Sequence, residues 1–395
     1  MSGTEARWDQ DTIARHNEEV AKLWRDFEAR EPERVPVVWN FSNRFYLLTP
    51  WLNRQRYSFQ QYFEDPGVQW EVQLSFCKWI REHIPMDLAW GLPDQWDGVR
   101  PDFQNIYEAA WLRCRLEYRD GEVPDTWPLL KERKGDLAKL TIPDPIRGGL
   151  MARALEYHQY FDARRKSEEF CGCPVGPPAL SGGATDGPFT VACNLRGTTE
   201  LCLDIYEDPA FVKELLDFIT EATIVRVRAV GEFNGITYPQ KGWGFADDSI
   251  QLLSVRQYRE VVLPHHRRLL AEFSQGGPNS IHLCGSVQRH LPVLQKELNI
   301  QSFDLGFPVD LGQVRRELGP GALLRGNLHP RTLAYGPASL IEEQTAAIMN
   351  SGVKEGRRFV FCEGNNVAPC TPVEHFQAAY DTAMQHGRHA GPGAQ

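Results

Sequence analysis

The chain has 395 residues, 42% hydrophobic and 24% charged, the balance of a globular protein with a large core. Its net charge of −9 argues against nucleic acid or an anionic membrane as partner, and no apolar run reaches the roughly 18 residues of a membrane span. The start, Met1 to Trp8, lacks the basic and apolar regions of a signal peptide, and nine scattered cysteines make no disulfide framework, so a cytoplasmic protein is expected.

Ile13, Val20, Leu23, Trp24 and Phe27 recur at helical spacing among charged residues, which predicts a helix from residue 9 to about 30 within an N-terminal extension, 1–33. Arg34 to Asn40 then reads as a first strand, with Trp39 and Asn40 where it opens onto its loop. Helices are expected from Ser58 to His83, and Met86 to Leu92 reads as a second strand. Residues 95–150 are expected to be a β-rich insertion, because Trp111 to Asp120 alternates and closes on an Asp-Gly turn. A helix at Met151–Glu169 precedes a Pro/Gly-rich third strand at Pro177–Gly183. Asp208-Pro209 opens a long helix, and a fourth strand ends at Asp247-Asp248. Adjacent acids on a strand point to opposite faces, so one of the two enters a pocket, unless it caps the next helix instead. Strands ending at Cys284, Gly306, His329 and Phe361 alternate with helices, the last of them starting at Thr371 as cap with Glu374 three residues on.

Strand–helix alternation implies parallel strands with crossover helices, and eight strand candidates favour an α/β fold of the (β/α)8 type, a TIM barrel over residues 34–390. Such a barrel gathers its chemistry at the strand C-termini. Ser280-Ile281-His282-Leu283-Cys284 is the informative stretch, because residues two apart on a strand share a face and imidazole and thiolate are zinc ligands. The plain alternative is a buried cysteine beside a structural histidine. A third ligand must come from elsewhere: Cys362, with Glu363 and Cys370 as the other options. Asp247 or Asp248 is the expected catalytic acid, and Trp39, Asn40, Asn327, His329 and Asn365 are the expected substrate-binding groups. Cys171 and Cys173 read as loop thiols.

His282-Leu283-Cys284-Gly285, Gly187-Pro188-Phe189-Thr190, Glu207-Asp208-Pro209, Gly326-Asn327-Leu328-His329-Pro330 and Val367-Ala368-Pro369 together resemble the uroporphyrinogen decarboxylase superfamily over residues 30–390. The resemblance implies a single (β/α)8 barrel and two activities, tetrapyrrole decarboxylation and zinc-dependent methyl transfer to or from a corrinoid (cobalamin) carried by a separate protein. The chain lacks the decarboxylases' arginine-rich first loop and has Ala89-Trp90-Gly91-Leu92 where they carry an essential aspartate. It therefore resembles the methyltransferases more, although Asn365 stands where their third zinc ligand, a cysteine, is found. The expected activity is thus methyl transfer between a small methylated substrate or thiol and a corrinoid protein, with a homodimer as the assembly considered. The alternatives are a metal-free decarboxylase or lyase, and a non-catalytic subunit of a demethylase system.

Overall fold

The computed structural model describes residues 7–389. The first six residues of the expected extension, and residue 390 at the end of the expected barrel, lie outside the described residues. Helix α1, Gln10–Glu28, is capped by Asp9, whose carboxylate accepts the Thr12 N–H, and it buries Val20, Leu23 and Phe27 as their spacing predicts.

The organising sheet has five parallel strands in consecutive order: β1 (Gly244–Ala246), β2 (Asn279–Leu283), β3 (Ile300–Leu305), β4 (Leu323–Leu328) and β5 (Phe359–Glu363). Helices connect them, as parallel pairing requires. Single bridges extend the sheet at both edges. Val37 pairs with Phe361 beside β5, and Asp186 pairs with Ala246 beside β1.

The first, second and third expected strands are therefore shorter than their sequences suggest. Residues 86–92 form no ladder, and Asp87 reaches the first segment through one backbone bond, from its N–H to the Val37 carbonyl (2.7 Å). Pro177–Gly183 likewise stays irregular, and the segment that meets β1 is Thr185-Asp186. In the second place proline and glycine withhold the donors and side chains that a ladder uses, and in the first α1 takes the backbone, the Trp24 indole donating to the Asp87 carbonyl and the Asn17 amide bonding both the N–H and the carbonyl of Trp90. The insertion also differs from expectation. Its hairpin exists, Arg115–Glu117 against Asp125–Trp127, but short helices and loops make up the rest. The last helix runs Val373–His386 without a side-chain cap, because the Thr371 hydroxyl turns back to the Ala368 carbonyl (2.7 Å).

The Asp87 carboxylate is a joint between distant parts of the chain. It accepts two bonds from Arg34 (2.6 and 2.7 Å), one from the Val37 N–H (2.7 Å) and one from the Tyr380 hydroxyl on the last helix (3.0 Å). Phe27 of α1 packs on Val38, Val360 and Cys362, which joins the N-terminal helix to the sheet. Among the described residues no helix is long and apolar enough to cross a membrane.

Candidate functional site

Strand β2 shows how the sequence builds the site. Asn279, Ile281 and Leu283 are buried while Ser280 and His282 are only partly so, the period-2 pattern of a strand with one face against helices and one toward a cavity. The strand stops at Gly285, whose φ of +79° suits glycine and lets the chain turn as it leaves the sheet. His282 and Cys284 leave the same face, and Cys284 Sγ lies 3.2 Å from His282 Nε2.

The other ring nitrogen of His282, Nδ1, is 2.9 Å from Asp304 Oδ2 on β3. Asp248, just past β1, accepts the Cys284 N–H at 2.7 Å. Asp248, His282 and Cys284 each present a ligand atom, all within 4.8 Å of one another. Burial works against a charge on His282, but its bonds to Asp304 and Cys284 outweigh it and raise its pKa to about 11. Burial also raises the Cys284 thiol, against the opposing bond from His282. Asp304 is lowered despite its burial, because the imidazole holds its charge. A bound metal would take the place of the proton on Nε2 and leave the Asp304 bond at Nδ1, since ligation takes the thiolate and the neutral imidazole.

Register places these groups in one row across the sheet. Asp186, Ala246, His282, Asp304 and Arg325 are successive partners. Arg325 in turn donates to Asn40 Oδ1 at 3.0 Å. Beside the row lies a cavity of 670 Å³ lined by Arg44, Glu108, Asp186, Phe245 and His282 among others. The Asp186 carboxyl is pushed up to about 8 by burial first, then by the nearby carboxylates of Glu108, Asp248 and Asp247.

The expected site residues divide sharply. Asp247 and Asp248 do face apart. Asp248 joins the His–Cys pair, whereas Asp247 is fully buried and accepts the N–H groups of Phe189 (3.2 Å) and Thr190 (2.8 Å), the Thr190 hydroxyl (2.7 Å) and His266 Nε2 (2.8 Å). A Cβ at Gly187 would collide with this carboxylate, which explains the glycine there. Cys362 is not among the three gathered donors; it is buried against Phe27, Val38 and Val360, and burial pushes its thiol well up. Glu363 is buried too, accepts the Asn40 N–H, and is raised to about 8 by its burial. Cys370 is exposed, its thiol turned to the Leu48 carbonyl.

Trp39 is a core residue, its indole N–H on the Pro85 carbonyl and its ring against Phe361 and Phe376. Asn327 spends its amide on the carbonyls of Gly306 (3.2 Å) and Val309 (2.6 Å). His329 caps the helix Pro330–Tyr335 through Nδ1 and stacks on Phe307. Asn365 is exposed and accepts from the Asn366 amide. Sequence reasoning missed Asp186, Glu108 and Arg325 as site residues. Only the register, which pairs segments far apart in the chain, brings Asp186 and Arg325 into line with His282.

The family model of uroporphyrinogen decarboxylase (URO-D) matches residues 21–386. A uroporphyrinogen decarboxylase of Pelobacter propionicus is 28% identical over 196 residues, 48% of this chain and 55% of that protein. A methylated-thiol–coenzyme M methyltransferase of Methanosarcina mazei is 28% identical over 235 residues, 59% of this chain and 58% of that protein. The chain thus spans little more than half the length of these curated relatives. Among solved structures, a methyltransferase from Methanosarcina mazei superposes with a TM-score of 0.63 at 18% identity, covering 93% of this chain and 98% of that one, a likeness of fold. With its parallel α/β sheet and a family match over nearly its whole length, the chain belongs to the uroporphyrinogen decarboxylase family.

Proposed function

We propose that the chain is a zinc-dependent methyltransferase that moves a methyl group between a small methylated substrate or thiol and a corrinoid carried by a separate protein. The observation that carries this reading is the convergence of Asp248, His282 and Cys284 beside the cavity, with Asp304 behind the imidazole. The donor set fits zinc. Nitrogen and sulfur ligands around a tetrahedral zinc sit roughly 3.5 Å apart, close to the 3.2 Å between His282 Nε2 and Cys284 Sγ. A carboxylate on the second ring nitrogen is the usual partner of a zinc-bound histidine, fixing its tautomer and raising its basicity. Asp248 takes the part of third donor that the sequence offered to Cys362. Zinc bound by these groups would hold a substrate thiol as its thiolate.

The chain's own residues do the rest. Asp304 orients His282, and Asp248 ties the Cys284 backbone. The cavity holds the small substrate, and its opening is the face on which a corrinoid protein would dock. A methyltransferase and a decarboxylase are equally similar to the chain at 28% identity, so the choice of methyl transfer rests on the gathered donor set.

The test is zinc content of the purified chain together with methyl transfer from a methylated thiol to free cob(I)alamin. About one zinc per chain is expected, lost in Cys284→Ser and Asp248→Asn and kept in Cys362→Ser. A chain that takes up no zinc under reducing conditions sinks the proposal. Activity that survives chelation would turn the reading toward a metal-free decarboxylase or lyase.

A further inference from the structure

We infer that Asp186 is the acid of the reaction, the carboxyl that hands a proton to the heteroatom from which the methyl group departs. The inference rests on the methyl-transfer reading above and adds to it a residue with a role of its own.

The geometry carries it in three steps. Asp186 lies in the same register row as His282, separated only by Ala246. Two strand spacings put their backbones roughly 10 Å apart, and both side chains line the 670 Å³ cavity. A small molecule between them can therefore place its heteroatom within reach of both the His282–Cys284 side and Asp186, with its methyl group turned to the opening where the acceptor docks.

Next, the Asp186 backbone is held from several directions. Its N–H donates to Glu108 Oε1 (3.2 Å) and its carbonyl accepts the Thr185 hydroxyl (2.6 Å). Glu108 is itself paired to the buried Arg226 at 2.9 Å, and Arg226 also donates to the carbonyls of Gly182 and Ala184. The segment 182–186 is thus fixed by one arginine.

The carboxyl of Asp186, by contrast, accepts no hydrogen bond from any described residue. A half-buried carboxyl set beside other acids costs stability unless something binds it. A fixed backbone carrying an unpartnered acid into a cavity is the arrangement of a group kept for a ligand. Burial and the carboxylates of Glu108, Asp248 and Asp247 favour the protonated form that a donor needs, with the charge at His282 opposing them.

The step balances. In a methyl ether or thioether CH3–X–R the C–X bond breaks with its electron pair left on X. The methyl carbon bonds to the nucleophilic acceptor, a reduced corrinoid or a thiolate. The Asp186 proton completes X–H, and the resulting carboxylate regains a proton from water as product leaves. Glu108 and Arg226 are positioning residues for this donor.

The experiment uses the zinc-loaded chain with free cob(I)alamin as acceptor and para-substituted anisoles of graded phenol acidity as donors. Trimethylsulfonium, whose departing dimethyl sulfide takes no proton, is the control donor. Asp186→Asn is expected to slow demethylation of unsubstituted anisole by about 100-fold, progressively less as the phenol becomes more acidic, and to leave trimethylsulfonium within about threefold. Asp186→Glu, which keeps an acid, recovers part of the ether activity. Unchanged zinc uptake and an undiminished melting temperature show that the Asn variant is folded; if it is not, the slope of the series in the Glu variant decides. An equal loss for every donor, or no loss, overturns the inference and leaves methyl transfer standing. A wild-type chain that demethylates none of the donors rejects the methyl-transfer reading, and the role of Asp186 falls with it.

Discussion

The two halves of the sheet's C-terminal edge are built from similar residues and left in opposite conditions. Over β1 to β3, Asp248, His282, Cys284 and the neighbouring Asp186 converge with bonding capacity to spare. Over β4 and β5, Asn327, Glu363, His329 and Cys362 have their polar groups taken up by loop carbonyls, a backbone N–H, a helix cap and an apolar cluster. Residence at a strand end is therefore a weak mark of function. What separates the halves is which groups the protein itself has already bonded.

The largest expected effect lies in the open half. Cys284→Ala removes one of only three gathered donors, so bound zinc should fall from about one per chain to a trace by elemental analysis. Retention of zinc there would erase the contrast between the halves.

Asp247→Ala tests a different boundary, between two adjacent acids. It strips four hydrogen bonds from a buried cluster that includes His266. Unfolding by urea should show a loss of about 3–5 kcal/mol. A change below about 1 kcal/mol would mean that Asp247 does not act as a structural clasp.

Asp304→Asn leaves every gathered donor in place but weakens the hold on His282. Zinc affinity, read by chelator competition, should drop about 10- to 100-fold.

Asp186→Asn acts through protons. The folded carboxyl keeps its proton up to about 8, while the unfolded one loses it near 3.8. Between those values the native state binds more protons than the unfolded state, so stability falls as pH rises through the window. The Asn variant has no such proton to lose. It should be more stable than wild type by roughly 1–2 kcal/mol at pH 8, with the gap closing toward pH 4. Matching stability curves would show that Asp186 carries no raised pKa.

The smallest effect belongs to the closed half. Cys362→Ala should cost about 1 kcal/mol from its apolar cluster and leave zinc uptake unchanged.

Local pattern made much of this molecule legible. Helix α1, the long helix capped by Asp208, the hairpin and strands β2 to β5 follow periodicity and turn chemistry, which act over a few residues. His282 and Cys284 were readable for the same reason, since their shared face follows from spacing alone. Which third group gathers beside them was not readable from spacing. Cys362 has the right chemistry, but Phe27 and Val38, distant in sequence, enclose it. Asp186 gave no signal at all, because its meaning comes from a single bridge to Ala246 and from an arginine on another helix. The first and third strands were misjudged in length where proline and glycine interrupt pairing that their apolar residues would otherwise support, and the second where α1 takes the backbone.

The Asp87 joint has a consequence for the order in which the chain is made. Arg34 and Val37 meet Asp87 early, but Tyr380 is 293 residues further on, and the only sheet partner of Val37 among the described residues, Phe361, is more distant still from Val37. Contacts of such long range form late, after their loop-closure entropy has been overcome. A nascent chain must therefore carry its apolar first segment, Val35 to Trp39, without that partner while nearly all of the protein is still being synthesised. A chain that stops before Phe361 would leave that segment without its sheet partner and open to aggregation.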